Sequence, residues 1–467
     1  MDIKNKNYEK KHSFLDINSY SISQGLINFS VGAFGSYAFF FYETEMKLNV
    51  IFLGIVFAIY SIWDAINEPL LGNLTDRPFK FTARWGRRLP WVVIGFFPWI
   101  LLYILIFTPP VINGSYIPWI TFIYVFIIIV LYDTFYTLWS VNSEALFPFK
   151  YRDFQERRKV SGIRGFWGVI GLVMGLLIPP LIVVYEIKET YVLQAIILGI
   201  ASLIFGILMF PGHREDKNLT ELYLKSPSSQ HQGITFFKDL WSALKKKNFL
   251  VMLILHFMYT VLTSLLIASL NYFVKYNLKM ESTALFFGMS GYLIASLLSI
   301  PLWIRVANKV NNNKKIMTYG ALSMSFTTGI LFIANSLITL MVLGCFVGLT
   351  GAIFFVMQDT INADVLDEAT VLDKSRTEGT YYGVKFFIGR FADVFKFLTL
   401  AVVHISTGFI ADTEVTQSTS ALIGIKLHMS IIPAIALFIG AIIFWKWYDL
   451  EPKKMEKIRL KIKELDS

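Results

Sequence analysis

Apolar stretches of roughly 20 residues recur from Ser19 to Tyr448, each long enough to cross a bilayer core of about 30 Å. Backbone polar groups inside lipid must be satisfied within the structure, so such stretches have few ways to fold. Helices meet that demand one segment at a time. A transmembrane barrel would instead show alternating segments of roughly ten residues, and the sequence has none. Only 16% of the residues are charged and 55% are hydrophobic, where an ordinary soluble domain carries about 25% charge. The expected fold class is an all-α, multi-pass membrane protein. Met1–Asp16 is polar, with Lys4, Lys6, Lys10 and Lys11. It has no short apolar core before a small-residue site, so no cleaved signal peptide is expected. The single cysteine, Cys345, excludes an internal disulfide and a cysteine-rich metal motif.

Hydrophobic runs and the breakers between them predict about twelve spans, at 18–43, 48–73, 90–109, 118–147, 160–185, 190–211, 248–275, 282–305, 317–336, 338–363, 379–410 and 422–449. Residues 213–247 interrupt the pattern with Ser, Gln, Asp and Lys and divide the spans six and six. The expected organisation is an N-terminal six-helix bundle over 1–212, a middle loop over 213–247, a second bundle over 248–450 and a tail over 451–467. This is the layout of parallel-repeat transporters of the major facilitator type.

Loop charge sets the expected orientation. Arg77, Lys80, Arg84, Arg87 and Arg88 follow the second span, and Lys150, Arg152, Arg157, Arg158 and Lys159 follow the fourth. The middle loop, the Lys309–Lys315 loop and the tail are basic too, whereas the alternate loops around Asn113 and Thr413 hold no Lys or Arg. By the positive-inside rule both termini are cytoplasmic, in a cell-membrane protein. The net charge of +10 is then a matter of topology and gives no support to nucleic-acid binding. The tail reads either as a basic amphipathic helix on the inner leaflet or as a solvated helix.

Ionisable residues within spans are costly, so they are normally paired, solvated or functional. Trp63-Asp64-Ala65-Ile66-Asn67-Glu68-Pro69 places two carboxylates one helical turn apart, with an amide between them. Pro69 cannot donate to the carbonyl of Ala65, which frees one more oxygen there. Two acids this close repel unless a cation or proton is shared, and the segment reads as a cation site. Asn28, Asp133, Tyr136, Thr137, Ser140, Glu144 and Arg164 complete the polar set of the first half; Asp359 and Asp364 lie on span ten. Lys385, Arg390, Asp393 and Lys396 share about 140° of arc on span eleven, a face that should line a cavity or another helix. Arg390 and Asp393, or Lys396 and an acid, could equally be structural pairs. His256 and His404 read as buried hydrogen-bonded residues. Gly25, Gly32 and Gly35, with Gly165, Gly168, Gly171 and Gly175, read as helix-contact positions.

Several of these motifs, in order, resemble the glycoside–pentoside–hexuronide:cation symporters. They are Asp64-Ala65-Ile66-Asn67-Glu68-Pro69 with Gly72 and Asp76; Gly86-Arg87-Arg88-Leu89-Pro90-Trp91; Tyr136-Thr137 with Ala145-Leu146, Pro148, Glu156-Arg157 and Arg164; and Ala363-Asp364-Val365-Leu366-Asp367 with Arg376-Thr377-Glu378-Gly379 and Arg390. The resemblance implies a 12-helix major facilitator fold that moves a sugar, glycoside or uronide with Na⁺ or H⁺, Li⁺ being a further candidate, by alternating access. It implies no other cofactor, a bilayer-embedded monomer, and a cation site at Asp64, Asn67, Glu68 and Thr137, with Arg390 as counter-charge. Arg cannot release its proton at any relevant pH.

Solute contacts carried over by position are Asn28, Tyr136, Ser140, Glu144 and Arg164. Asn28 and Ser140 stand where the family's melibiose carrier has sugar-gripping carboxylates, so a galactoside is not the expectation. The pocket is expected to be more positive and to favour an acidic solute such as a hexuronide, with Asp133 and Glu144 able to compensate. Asp76, Arg77, Arg87 and Arg88 resemble the superfamily's gating loop, although basic loops enforcing topology explain the arginines as well. Competing readings are a lysolipid transporter of the same fold and a non-transporting membrane sensor. An enzyme is not expected: there is no phosphate-binding Gly-Lys loop and no His-Glu-x-x-His helix.

Overall fold

The computed structural model describes residues 12–75, 79–111, 116–151, 154–215, 236–373, 378–412 and 415–466. It is helical throughout these residues. Twelve long helical segments occupy the apolar runs: α1 (Phe14–Phe40), α2 (Val50–Thr75), α3 (Leu89–Ile106), α4 (Pro118–Lys150), α5 (Phe154–Leu177), α6 (Lys188–Met209), α7 (Lys247–Tyr272), α8 (Thr283–Val310), α9 (Asn313–Ile330), α10 (Leu337–Asp373), α11 (Glu378–Thr407) and α12 (Thr419–Trp447). Ten are long and apolar enough to cross a membrane. The other two, α1 and α11, are also long enough, at 27 and 30 residues, but more polar; α11 carries five charged residues, Glu378 at its start and four within it. A further helix, α13 (Pro452–Asp466), forms the tail.

Where helix ends differ from the predicted spans, local chemistry explains why. The fifth span was expected over 160–185, but α5 stops at Leu177 and a one-turn helix, Pro179–Ile182, follows. Pro179 and Pro180 lack the N–H groups that would continue the ladder. The α8–α9 turn is short because Asn311 takes a left-handed conformation (φ 46°) and the Asn312 side chain accepts from the Lys315 amide at 3.0 Å.

Two helices end alike. α1 runs into a π turn, Phe41–Glu45, and α7 into Phe273–Asn277. The amides of Met46 and Leu48 donate to the carbonyls of Phe41 and Tyr42, both at 3.0 Å. Those of Leu278 and Met280 donate to Phe273 and Val274, at 3.0 and 3.1 Å. Each turn is followed by a left-handed lysine, Lys47 (φ 53°) or Lys279 (φ 54°). The first and seventh spans therefore share one backbone terminus, as a parallel repeat would produce. A third π turn, Leu427–Ile431, interrupts α12.

Tertiary contacts divide the chain into two compact units: Met1–Ala38 with Ile66–Val183 and Ile187–Gln232, and Phe39–Ala65 with Val184–Glu186 and Gly233–Ser467. In the first, α1 and α5 touch backbone to backbone. A Cβ on Gly171 would lie 1.9 Å from the Gly25 carbonyl oxygen, and one on Gly175 would lie 2.4 Å from that of Phe29. Gly35 and Gly165, expected at the same contact, have nothing within 4 Å and do not serve it. Phe96, Trp99 and Trp139 pack α3 on α4, with the two indoles 5.3 Å apart. In the second unit Gly348 seats α10 on α8 at Tyr292, and Phe397 is stacked on Phe39 at 5.4 Å and meets Phe57 tilted at 4.5 Å. That aromatic packing is why Phe39–Ala65 belongs with the later spans.

The tail was read as lying on the leaflet or in solvent. Instead α13 buries Met455 and Ile458 and packs on α10, where Lys454 reaches Glu368 and Asp449, both at 2.7 Å.

Candidate functional site

The close α1–α5 contact sets the first group of polar residues, all within the first unit. Arg164 on α5 is ion-paired with Glu144 on α4 and donates to Gln24 Oε1 at 2.6 Å. Gln24 Nε2 in turn donates to Asn28 Oδ1 at 3.3 Å, and Asn28 Nδ2 donates to the Gly168 carbonyl at 3.0 Å. The guanidinium lies over the rings of Phe147 and Tyr20, at 5.0 and 5.7 Å. It is largely buried, whereas the Glu144 side chain is 46% exposed. No atom lies within 4 Å of a Cβ placed on Gly162 or Gly165, so the α5 face beside Arg164 is open. Ser140 and Tyr136 follow Glu144 at four-residue intervals along α4, on the same face, and both are buried.

Asn67 of α2 is also in this unit and fully buried; its Nδ2 donates to Asp133 Oδ2 at 3.2 Å. Its Oδ1 and the Oγ1 of Thr137 are buried with no hydrogen-bond partner. An unsatisfied buried polar atom costs about 1–3 kcal/mol, so these two oxygens are candidates for contact with a ligand. Glu68, one residue on, is half-buried. Asp64 belongs to the second unit, where it is 2% exposed and its Oδ2 lies 3.1 Å from Arg390 Nε on α11. Lys396 pairs with Asp393 at 2.6 Å on the same helix, and His256 meets Gln358 at 2.6 Å. Among the described residues no three His, Cys, Asp or Glu side chains converge as a metal cluster. The α2 and α4 donors are mixed carboxylate, amide and hydroxyl oxygens, which suits a hard monovalent cation better than a transition metal.

A family model for the MFS/sugar transport proteins matches residues 19–451. The chain belongs to that family. This is the glycoside–pentoside–hexuronide:cation symporter group that the motifs resemble. It is a family of membrane transporters rather than enzymes. The chain is 22% identical to the isoprimeverose transporter of Lactiplantibacillus pentosus, over 95% of this chain and 91% of the relative. It is 21% identical to the sodium-dependent lysophosphatidylcholine symporter 1-A of Danio rerio, over 91% and 83%. A crystal structure of the nucleoside transporter NupG, in a variant form, superposes with a TM-score of 0.63 at 13% identity, over 93% of this chain and 99% of that one. The fold is therefore that of the major facilitator transporters.

In this transporter the loop before α3 is organised by a residue that sequence reasoning did not single out. Glu215 accepts from the amides of Arg87 (2.9 Å) and Arg88 (2.5 Å), at the N-terminus of α3. Gly86, at φ 89°, brings the backbone close enough for this. Arg88 itself is buried and donates to Asn142 Oδ1 at 2.9 Å. Asp76 and Arg77, the other expected gating residues, lie outside the described residues. Glu43, Glu45, Lys275 and His428 also went unmarked in the sequence, and all four are buried.

Proposed function

We propose that this transporter is a cation-coupled symporter of a neutral, hydroxyl-rich solute of the sugar class, working by alternating access with both termini cytoplasmic. Asp64, Asn67, Glu68 and Thr137 hold the coupling cation, Na⁺ or H⁺, and Asp133 supplies a further charge through Asn67. Arg390 neutralises Asp64 when the cation is absent. The observation that carries this reading is the pair of buried oxygens without partners, Asn67 Oδ1 and Thr137 Oγ1, on the helices that bear the family motif.

The solute contacts are Asn28, Tyr136, Ser140, Glu144 and Arg164. The positive pocket expected from sequence, and the uronide it favoured, lose support because Glu144 already matches the charge of Arg164. A matched pair offers donors and acceptors to sugar hydroxyls without preferring an anion. The same pair would suit a zwitterionic headgroup. The likeness to a lysophosphatidylcholine symporter over 91% of the chain makes a lysolipid the second reading.

The test is uptake into proteoliposomes of labelled neutral glycosides, a uronide and a lysolipid, under an imposed Na⁺ and then H⁺ gradient, for wild type and Glu68→Gln. Gradient-driven glycoside accumulation lost in Glu68→Gln supports the proposal. Accumulation of the lysolipid alone replaces the solute assignment, and none under either gradient overturns symport.

A further inference from the structure

The π turn that ends α1 carries a carboxylate into a buried set of titratable groups that the cation site does not use. Glu43 is 2% exposed, His404 of α11 1%, His428 of α12 fully buried, Tyr272 of α7 1%, and Ser269 fully buried. Glu43 Oε2 accepts from the Tyr272 hydroxyl at 2.5 Å, and Glu43 Oε1 lies 2.6 Å from His404 Nδ1. His404 Nε2 faces His428 Nε2 at 3.2 Å, and His428 Nδ1 lies 2.7 Å from Ser269 Oγ. We propose that Glu43, His404 and His428 form a proton-binding site, separate from the α2 carboxylates, whose loaded state clasps the end of α1 to α7, α11 and α12.

Only one of the two facing Nε2 atoms can carry the hydrogen between them. With His404 neutral, its Nδ1–H donates to Glu43 and its Nε2 accepts from His428. His428 Nδ1 then accepts from the Ser269 hydroxyl. Every contact is satisfied, and the set carries the negative charge of Glu43. Adding one proton reverses the chain. His404 becomes imidazolium and donates from both nitrogens, to Glu43 and to His428 Nε2. His428 carries its hydrogen on Nδ1 and donates to Ser269 Oγ, whose own hydrogen turns to the His428 carbonyl at 3.4 Å. Every contact is again satisfied, now at zero net charge.

The heavy atoms need not move between the two states, so what separates them is an uncompensated buried charge, which is strongly disfavoured. The neighbouring charges do not supply the balance. In the π turn after α7, Lys275 pairs with Glu45 at 3.0 Å, and Lys47 pairs with Asp412 of the α11–α12 loop at 2.7 Å. Glu45 also accepts from the Glu186 amide at 2.9 Å, and neither the Glu186 carboxylate nor the Tyr276 hydroxyl can bring a positive charge. Among the described residues, these ion pairs leave a proton as the balancing charge for Glu43. Losing it leaves Glu43 charged against neutral rings and weakens the link between the Phe41–Glu45 turn and α11.

The inference goes beyond the proposed cation site and does not depend on it. The experiment measures proton uptake by the purified full chain in unbuffered detergent between pH 5 and 9, for wild type, His404→Gln, Asp64→Asn and the double variant. Removing His404 should abolish uptake of about one proton per chain, in the wild-type and the Asp64→Asn backgrounds alike. Superposed curves overturn the site, and a difference that vanishes in the Asp64→Asn background overturns its independence. Should His404→Gln fail to fold, His428→Gln carries the test: it should keep the proton with its midpoint lowered by about one pH unit, and an unshifted curve overturns the relay. Amide exchange of residues 41–48, corrected for intrinsic rate, should speed up in wild type as pH rises through the uptake midpoint. It should be pH-independent in His404→Gln, whereas a purely structural histidine would leave wild type without that pH dependence.

Discussion

α11 presents two basic side chains about four turns apart, and each faces a buried carboxylate: Arg390 faces Asp64 and His404 faces Glu43. The geometry is similar but the chemistry is not. A guanidinium keeps its charge at every physiological pH, so the Asp64 pair can be undone only by another cation or by a proton on the acid itself. An imidazole can be neutral or charged, so under the proton-site proposal the Glu43 pair is undone by losing a proton. One helix thus offers two kinds of switch, selected by which cation stands opposite the acid.

The largest expected effect comes from removing the acid of the fixed pair. Asp64→Asn should cut gradient-driven uptake by about 100-fold or more, equivalent to roughly 2.7 kcal/mol, measured as initial rate in proteoliposomes. Coupling that survives the change would transfer the role to another acid. Removing the partner instead, Arg390→Gln, takes the guanidinium from a buried carboxylate and should cost about 3–5 kcal/mol, read by thermal or denaturant unfolding in detergent. The double variant with Asp64→Asn should recover most of that loss; failure to recover would mean the two are not energetically a pair. Asn67→Ala or Thr137→Val should weaken cation affinity by about tenfold, near 1.4 kcal/mol, with little change in solute affinity. The smallest effect is at the tail, where Lys454→Ala should cost under about 1 kcal/mol because the pair is exposed. Burial pushes the Asp449 carboxyl up, but hydrogen bonds from Lys454 and Asn248 outweigh it and hold it below the usual carboxylate range. Its small stabilisation is therefore present above the unfolded carboxylate range and lost as pH falls through the lower folded value.

Spans and their breakers were legible because crossing lipid requires long apolar helices, and few sequences satisfy that by accident. The polar face of α11 could be read for the same reason, since four charges on one arc need a partner. Pairings across helices could not. Nothing in the sequence ties Asn67 to Asp133, 66 positions apart, or Arg164 to Gln24, 140 apart. Glu43 fell at the last position of a predicted span, where an acid reads as an interfacial residue, and a π turn has no composition that would draw it inward. The tail misled in the opposite sense. Its lysines suggested water or lipid, while Met455 and Ile458, three apart on one face, were the signal for docking on protein.

The matched π turns of α1 and α7 bear on how the gene can change. Each holds one residue more than an α-helical turn needs, and deleting a single codon within Phe41–Glu45 would let the segment relax to ordinary helix. The wide turn absorbs that extra residue locally, so the side chains on either side would keep their facing, whereas the same deletion within Phe14–Phe40 would rotate everything beyond it by about 100°. A change in length is therefore absorbed at the turn and not in the helix before it.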